Sequence, residues 1–256
     1  MLPFLRQSAA VASAELAKIG RDPTELFSRA IQPVLWLVVF GQVFSRLRGI
    51  PTGGISYLAF MTPGILAQSV LFSAIFYGIA VIWERDLGIV QKLLVSPASR
   101  GALVLGKALS AGLRGLVQAS IVYLVAWLLQ IDLRWGIAAV GEVVLAVVLG
   151  SCIFSTFSLI IACIVKTRER FMGIGQVLTM PLFFASNAIY PLEMMPDWLR
   201  AIAAFNPLTY LVDVLRHAMI DGGNASHPLA MDFGVMALLF VVMLAIAARL
   251  YPGLAR

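Results

Sequence analysis

Six long apolar runs, at roughly 28–45, 57–82, 103–129, 136–165, 171–190 and 231–250, leave this chain few ways to fold. Backbone N–H and C=O groups surrounded by hydrocarbon must be satisfied within the segment itself, and a helix does this one run at a time. About 20 apolar residues in a helix cross the roughly 30 Å of a bilayer core. The composition agrees: 61% of residues are hydrophobic, only 12% are charged and the mean hydropathy is +0.93. Soluble domains carry about 25% charged residues. The expected fold class is an all-α integral membrane protein with six transmembrane helices.

Charge placement orients the runs. Arg6, Lys18, Arg21, Arg29, Arg85, Lys92, Arg100, Lys107, Lys166, Arg168, Arg170, Arg249 and Arg256 fall on one side. Arg46, Arg48, Arg134, Arg200 and Arg216 fall on the other, a ratio of 13 to 5. Cytoplasmic flanks are enriched in Lys and Arg, so both termini are expected in the cytoplasm of a cell-membrane protein. The net charge of +6 then reflects topology, and no nucleic-acid partner is expected. The opening segment, with Leu5, Ala9, Ala12, Leu16 and Ile19 at helical spacing, predicts an amphipathic helix over 1–27 lying on the membrane surface or on a neighbouring protein. Arg6, Glu15 and Lys18 interrupt it too often for a signal peptide.

Two stretches break the pattern. "ERDLGIVQKLLVSPASRGALVLGK", from residue 84, has Leu87, Val90 and Leu94 on one helical face, widened by Ile89 and Leu93. Glu84, Arg85, Asp86, Gln91 and Lys92 form the other face, and Pro97 stops the helix. This predicts a short helix across the cytoplasmic ends of the second and third spans. Residues 191–230, before the last run, are apolar but interrupted; Pro196-Asp197 and Asn206-Pro207 each start a short helix. At about 14 Å, the first cannot cross a bilayer, so both are expected to dip into or cap the outer leaflet.

Candidate chemistry is sparse. Gly101 to Lys107 matches the phosphate-loop pattern, but Ala108 stands where a Mg²⁺-binding hydroxyl is required. Cys152 and Cys163 lie eleven residues apart on one helix, about 16 Å, too far for a disulfide or a shared metal ion. His217 and His227 have no evident partners, and no metal or catalytic site is expected. Asn224-Ala225-Ser226 is a sequon without supporting context. Among intramembrane charges, Lys107 can snorkel to the cytoplasmic face, Glu142 lies near the outer end, and Arg114 sits deeper. Ser151, Ser155, Ser158 and Ala162 form a small-residue stripe suited to close helix packing. Thr62-Pro63-Gly64 and Pro181 are expected to kink their helices.

Glu84 to Gly88, the Leu-Leu-Val-Ser-Pro at 93–97 and the Asn-Pro-Leu-Thr-Tyr at 206–210 resemble the corresponding segments of type 2 ATP-binding-cassette (ABC) permeases. The closest flavour is the drug-resistance (daunorubicin-type) and lipo-oligosaccharide exporters, and the resemblance covers nearly the whole chain. It implies a single permease domain over 1–256: an interfacial helix (1–27), spans 1–5 (28–190) with a coupling helix at 84–96, outer re-entrant helices (191–230), and span 6 with a short tail (231–256). It implies that the coupling helix seats on a separate ATPase, expected in two copies, which binds ATP and Mg²⁺; no cofactor is expected in this chain. Residues implied in coupling are Glu84, Arg85, Asp86, Gly88, Gln91, Lys92, Leu94, Arg168 and Glu169. A second permease, forming a homodimer, would share a substrate path lined by Gln32, Trp36, Gln68, Phe72, Gln176, Thr179, Phe183 and Asn187, each of which could instead serve helix packing. The implied function is export of an amphipathic drug-like, lipid or glycolipid substrate. The competing class, an ion- or proton-coupled secondary transporter, calls for inverted repeats and a midplane carboxylate; neither is evident.

Overall fold

The computed structural model describes residues 2–21, 31–45, 54–96, 98–165, 167–222 and 225–255, and no strand occurs among them. In chain order the helices are α1 (Leu2–Arg21), α2 (Ile31–Phe44), α3 (Tyr57–Asp86), α4 (Ile89–Val95), α5 (Arg100–Leu128), α6 (Ile137–Ile164), α7 (Arg168–Phe184), α8 (Asp197–Phe205), α9 (Pro207–Met219) and α10 (Leu229–Leu250). Small polar residues start several of them. The side chains of Ser56, Ser99, Thr167 and Asn206 accept from the backbone N–H groups of Ala59, Ala102, Arg170 and Leu208, satisfying donors that the first helical turn leaves orphaned. Pro207 occupies the first position of α9, where its missing N–H costs nothing.

Four helices, α3, α5, α6 and α10, are long and apolar enough to cross a membrane. The other two apolar runs form shorter helices. α2 contains a π-helical stretch at Trp36–Gly41. α7 begins at Arg168 and stops at Phe184, giving 17 residues or about 25 Å. Its run continues to residue 190 as buried turns rather than helix, with Ser186, Asn187 and Ala188 at 1% exposure or less. α3 passes through Pro63 without interruption, and Pro181 falls in the last turn of α7.

α3 is the central element. It packs against α5, α6, α7 and α9, and 78% of its most apolar window is buried, against 11% for α10. α10 therefore lies at the periphery, with Leu238, Val241 and Val242 turned outward. The small-residue stripe on α6 meets α3 as expected: Ser158 Oγ donates to the Ile75 carbonyl and accepts from Gly78 N–H at 3.1 Å. α8 and α9 begin where the two proline signals put them. α9 is sunk into the protein, with Leu208, Leu211, Val212, Val214 and Leu215 fully buried.

Two elements depart from expectation. Residues 84–96 are not one helix: Glu84, Arg85 and Asp86 complete α3, Leu87 and Gly88 form a turn, and α4 starts at Ile89. Gly88 has φ 72°, a left-handed conformation that side-chain-bearing residues adopt only at a cost. Ser96 ends α4 in extended conformation, while Pro97 lies outside the described residues. α1 packs along α5, burying Ser8, Ala12 and Glu15, so its inward face meets protein. Residues 22–30, Arg46, Arg48, Lys166, Asn224 and Arg256 also lie outside the described residues.

Gly64 on α3 tests the tightness of this packing. A Cβ there would stand 2.7 Å from the Ala188 carbonyl carbon and 2.8 Å from its Cα, and backbone cannot rotate aside. Gly64→Ala is expected to destabilise by about 1–3 kcal/mol, as overpacking does. Gly141→Ala, where nothing lies within 4 Å, should be neutral or mildly stabilising. Melting of the detergent-solubilised protein separates the two outcomes.

Candidate functional site

The end of the molecule that carries α4 is organised by one buried cation. Lys107, on the second turn of α5, is 2% exposed. Its Nζ lies 2.5 Å from Glu84 Oε2 at the end of α3 and 3.2 Å from Glu15 Oε1 on α1. Three helices meet at one ammonium. Tyr77 lines the same region: its hydroxyl accepts from Ser110 Oγ at 3.3 Å, and the Arg114 guanidinium stands 5.2 Å from its ring centroid. Two expectations change here. Lys107 does not snorkel to the surface, because two carboxylates hold it inside. Glu84 does not belong to a solvated polar face; it is 7% exposed and braces α3 against α5.

α4 hangs from this brace. Val90 is fully buried, and Leu93 and Leu94 are partly buried against a cluster that includes Leu103, Tyr251 and Leu254. Leu87, expected on the apolar face, is 67% exposed because it sits in the turn before the helix. Gln91, Lys92 and Val95 point outward. Alongside, Arg168 at the start of α7 pairs with Asp86 at 2.7 Å, and its guanidinium carbon lies 3.4 Å from the Trp83 ring centroid. Arg85 bonds the other oxygen of Asp86 at 3.0 Å. Glu169 is exposed beside Arg168. Seven of the nine residues expected to contact an ATPase thus border one end face; Glu84 and Leu94 support it from within. Charged groups, Leu87, Val95 and the half-exposed Trp83 make that face mixed in character, which suits a protein partner more than lipid.

The expected path residues sit in different surroundings within the single chain. Trp36 stacks on Phe40 at 4.4 Å and meets Phe183 edge-on at 5.8 Å, so α2 and α7 share an aromatic seam with Gln32 half-buried one turn away. Phe183 itself is fully buried. Phe72, half-buried, pairs with Phe76 at 5.8 Å. Gln68 is 2% exposed, and neither polar atom of its amide has a partner among the described residues. Thr179 Oγ1 donates to the Gly175 carbonyl, whereas Gln176 is exposed. Between α7 and α8 an apolar hollow of about 600 Å³ is walled by Leu178, Pro181, Phe184, Trp198, Ile202 and Phe205.

Asn187 belongs to a cluster that sequence reasoning missed. At the opposite end from α4, its amide donates to Asp213, and its carbonyl accepts from Arg216 at 2.6 Å. Arg216 is 2% exposed and lies 4.2 Å over the Phe60 ring, so it is no loop charge. Asn206 caps α9 and donates to the carbonyls of Leu182 and Ala185 at 2.7 and 2.9 Å, tying α9 to the end of α7. His227, which the sequence leaves without a partner, lies 3.1 Å from Asp213. The available signal was the i, i+3 pairing of Asp213 with Arg216 on an otherwise apolar helix.

Comparison with known proteins points to one family. The family model described as ABC-2 type transporter matches residues 6–220. The transport permease ycf38 of Cyanophora paradoxa is 29% identical over 83% of this chain and 74% of its own length. The daunorubicin resistance ABC transporter permease protein DrrB1 of Streptomyces coeruleorubidus is 25% identical over 90% of this chain and 80% of its own. Nodulation protein J of Rhizobium leguminosarum bv. viciae is 24% identical, covering 85% and 83%.

The brace makes an ordered prediction. Lys107→Met removes the ammonium that lies between the buried Glu15 and Glu84 carboxylates, and should cost about 3–5 kcal/mol, the usual penalty for breaking a buried ion pair from one side. Glu84→Gln should cost less, because Glu15 still neutralises the ammonium. Folded yield and melting temperature of the purified variants give the ranking; equal stability of Lys107→Met and parent would contradict it.

Proposed function

This chain belongs to the ABC-2 type transporter family, and from that membership we propose that it is the membrane-spanning subunit of an ABC exporter, driven by ATP hydrolysis on a separate ATPase subunit. The observation that carries this reading is the construction of the α4 end. A short helix is clamped to α3 through the Gly88 turn and to the C-terminal segment through Val90, while Gln91, Lys92 and Val95 face outward. A push on α4 reaches α3 and α5 together, because Glu84 and Lys107 bind those helices to each other just behind it. That is the mechanical requirement for turning closure of an ATPase pair into movement of membrane helices. Arg168 and Glu169 add a second contact beside it. ATP and Mg²⁺ are bound on the partner, and two ATPase copies serve a pair of permeases.

The six-span topology follows if α2 and α7 complete the crossing set, with α8 and α9 as the outer re-entrant pair and both termini cytoplasmic, as the Lys/Arg bias favours. The second permease is a copy of this chain. Its docking is supported by the apolar outward faces of α2 and α7, where Val39, Phe40, Val43, Val177 and Phe184 are exposed. Between the copies, the aromatic seam of Trp36 and Phe183, together with Gln32, Phe72 and Gln176, gives a surface that is mostly apolar with scattered amides. Such a lining suits an amphipathic drug-like, lipid or glycolipid cargo. Gln68, Thr179 and Asn187 contribute by setting the shape of that wall from behind.

Replacing Gln91 and Lys92 together by Ala tests the coupling. Both are exposed, so folded yield and melting should stay within about 0.5 kcal/mol of parent. Each lost polar contact to the ATPase is worth about 1–3 kcal/mol, so partner retention on co-purification should fall tenfold or more. Undiminished retention and undiminished ATP-driven transport in liposomes would reduce α4 to a connector. Cysteines at positions 91 and 169 should label only from the cytoplasmic side and one at position 132 only from outside; the reverse pattern overturns the orientation.

A further inference from the structure

At the end opposite α4, away from the coupling face, two carboxylates and an imidazole converge beside Asn187. Asp213 comes from α9, Asp232 from the first turn of α10, and His227 from the loop between them. Both aspartates are fully buried, and the His227 side chain keeps 27% exposure. His227 Nδ1 lies 3.1 Å from Asp213 Oδ2 and 3.5 Å from Asp232 Oδ1, and one ligand atom of each residue lies within 4.8 Å of the others.

The two carboxylates are not equally provided for. Asp213 accepts from the Asn187 amide and from Ser226 N–H at 2.9 Å, and Arg216 stands 3.7 Å away. Asp232 has no hydrogen-bond partner on either oxygen among the described residues. A carboxylate buried in that state pays its desolvation without return. The His227 ring turns the same nitrogen, Nδ1, towards both acids. That nitrogen stands 3.1 Å from Asp213 Oδ2 and 3.5 Å from Asp232 Oδ1, so a single N–H favours the nearer acid. A cation between the three atoms would bond all of them. An ion with ligand bonds of about 2.1 Å in tetrahedral array sets its ligand atoms roughly 3.4 Å apart, within the range of the two distances from Nδ1.

We infer that Asp213, His227 and Asp232 form a binding site for a divalent transition-metal ion, with one oxygen of each carboxylate and His227 Nδ1 as ligands. The mixed nitrogen and oxygen set favours Zn²⁺ and its neighbours over Mg²⁺ or Ca²⁺, which take oxygen ligands, and the lack of a thiolate disfavours Cu⁺. Asn187 and Ser226 orient Asp213 in the manner of outer-shell partners, and the Tyr210 ring stacks on the imidazole at 5.6 Å. The half-open His227 side admits the ion and a completing water. Bound there, the ion fastens α9 to α10.

The test uses the full-length protein without a polyhistidine tag, in nanodiscs, stripped with chelator and titrated with Zn²⁺ or Co²⁺. One Zn²⁺ per chain, a raised melting temperature reversed by chelator, and visible d–d bands with Co²⁺ are the expected results. His227→Ala and Asp232→Asn should each weaken binding tenfold or more, while His217→Ala, replacing the other histidine, should leave it unchanged. Absence of stoichiometric binding by the parent, or equal binding by His227→Ala, overturns the site. If Asp232→Asn does not fold, the parent titration and His227→Ala, a partly exposed loop position, still decide.

Discussion

An ammonium shut inside an apolar protein must be neutralised where it sits, and Lys107 is neutralised by residues from two other helices. The Glu84 contact ties the end of α3 to the start of α5, and the Glu15 contact adds α1. Apolar packing between helices tolerates sliding, because one methyl contact replaces another at little cost. An ion pair in a dry site does not: separating it exposes buried charge, at a cost of several kcal/mol. The Lys107 contacts therefore hold α1, α3 and α5 in fixed register at the α4 end.

That rigidity gives the short helix its use. α4 alone is 7 residues, too short to be stable in isolation, and its fold depends on what flanks it. The Gly88 turn reverses the chain without strain, Val90 anchors in the cluster around Tyr251, and Asp86 is held by Arg85 and Arg168. A membrane subunit that receives force from outside needs a contact surface that does not yield before the helices behind it do. Here exposed side chains, Gln91, Lys92 and Val95, stand on a backbone held by the Gly88 turn on one side and by Val90 on the other.

Local signals in the sequence carried much of this and failed where tertiary contacts decide. Proline and asparagine before α8 and α9 mark their starts, because capping chemistry is confined to a few residues. The serine stripe on α6 meets α3 as its spacing implies. Periodicity across 84–95 suggests one helix, yet it is blind to a left-handed Gly88, and so assigns Leu87 to an apolar face it never joins. It equally puts Glu84 in water, since nothing local reveals that Lys107, twenty-three residues on, points back at it. The Asp213, Arg216 and Asn187 cluster has the same cause: its members are up to 29 residues apart and meet only once α9 sinks beside the end of α7. Six apolar runs imply six spans, whereas α7 is shorter than its run because buried turns take up the run's last residues.

The two polar ends also explain how a poorly buried helix keeps its place. α10 has only 11% of its most apolar window buried, and one face of its middle packs on the core through Met236, Phe233 and Phe240. Its ends are different. At one, Asp232 is enclosed beside Asp213 on α9; at the other, Ala247, Tyr251 and Leu254 close over Val90 and Val104 near the Lys107 brace. Among the described helices α10 touches both the α4 region and α9, so displacement at one end of the molecule has a covalent route to the other that does not pass through the tightly packed α3–α6 interface.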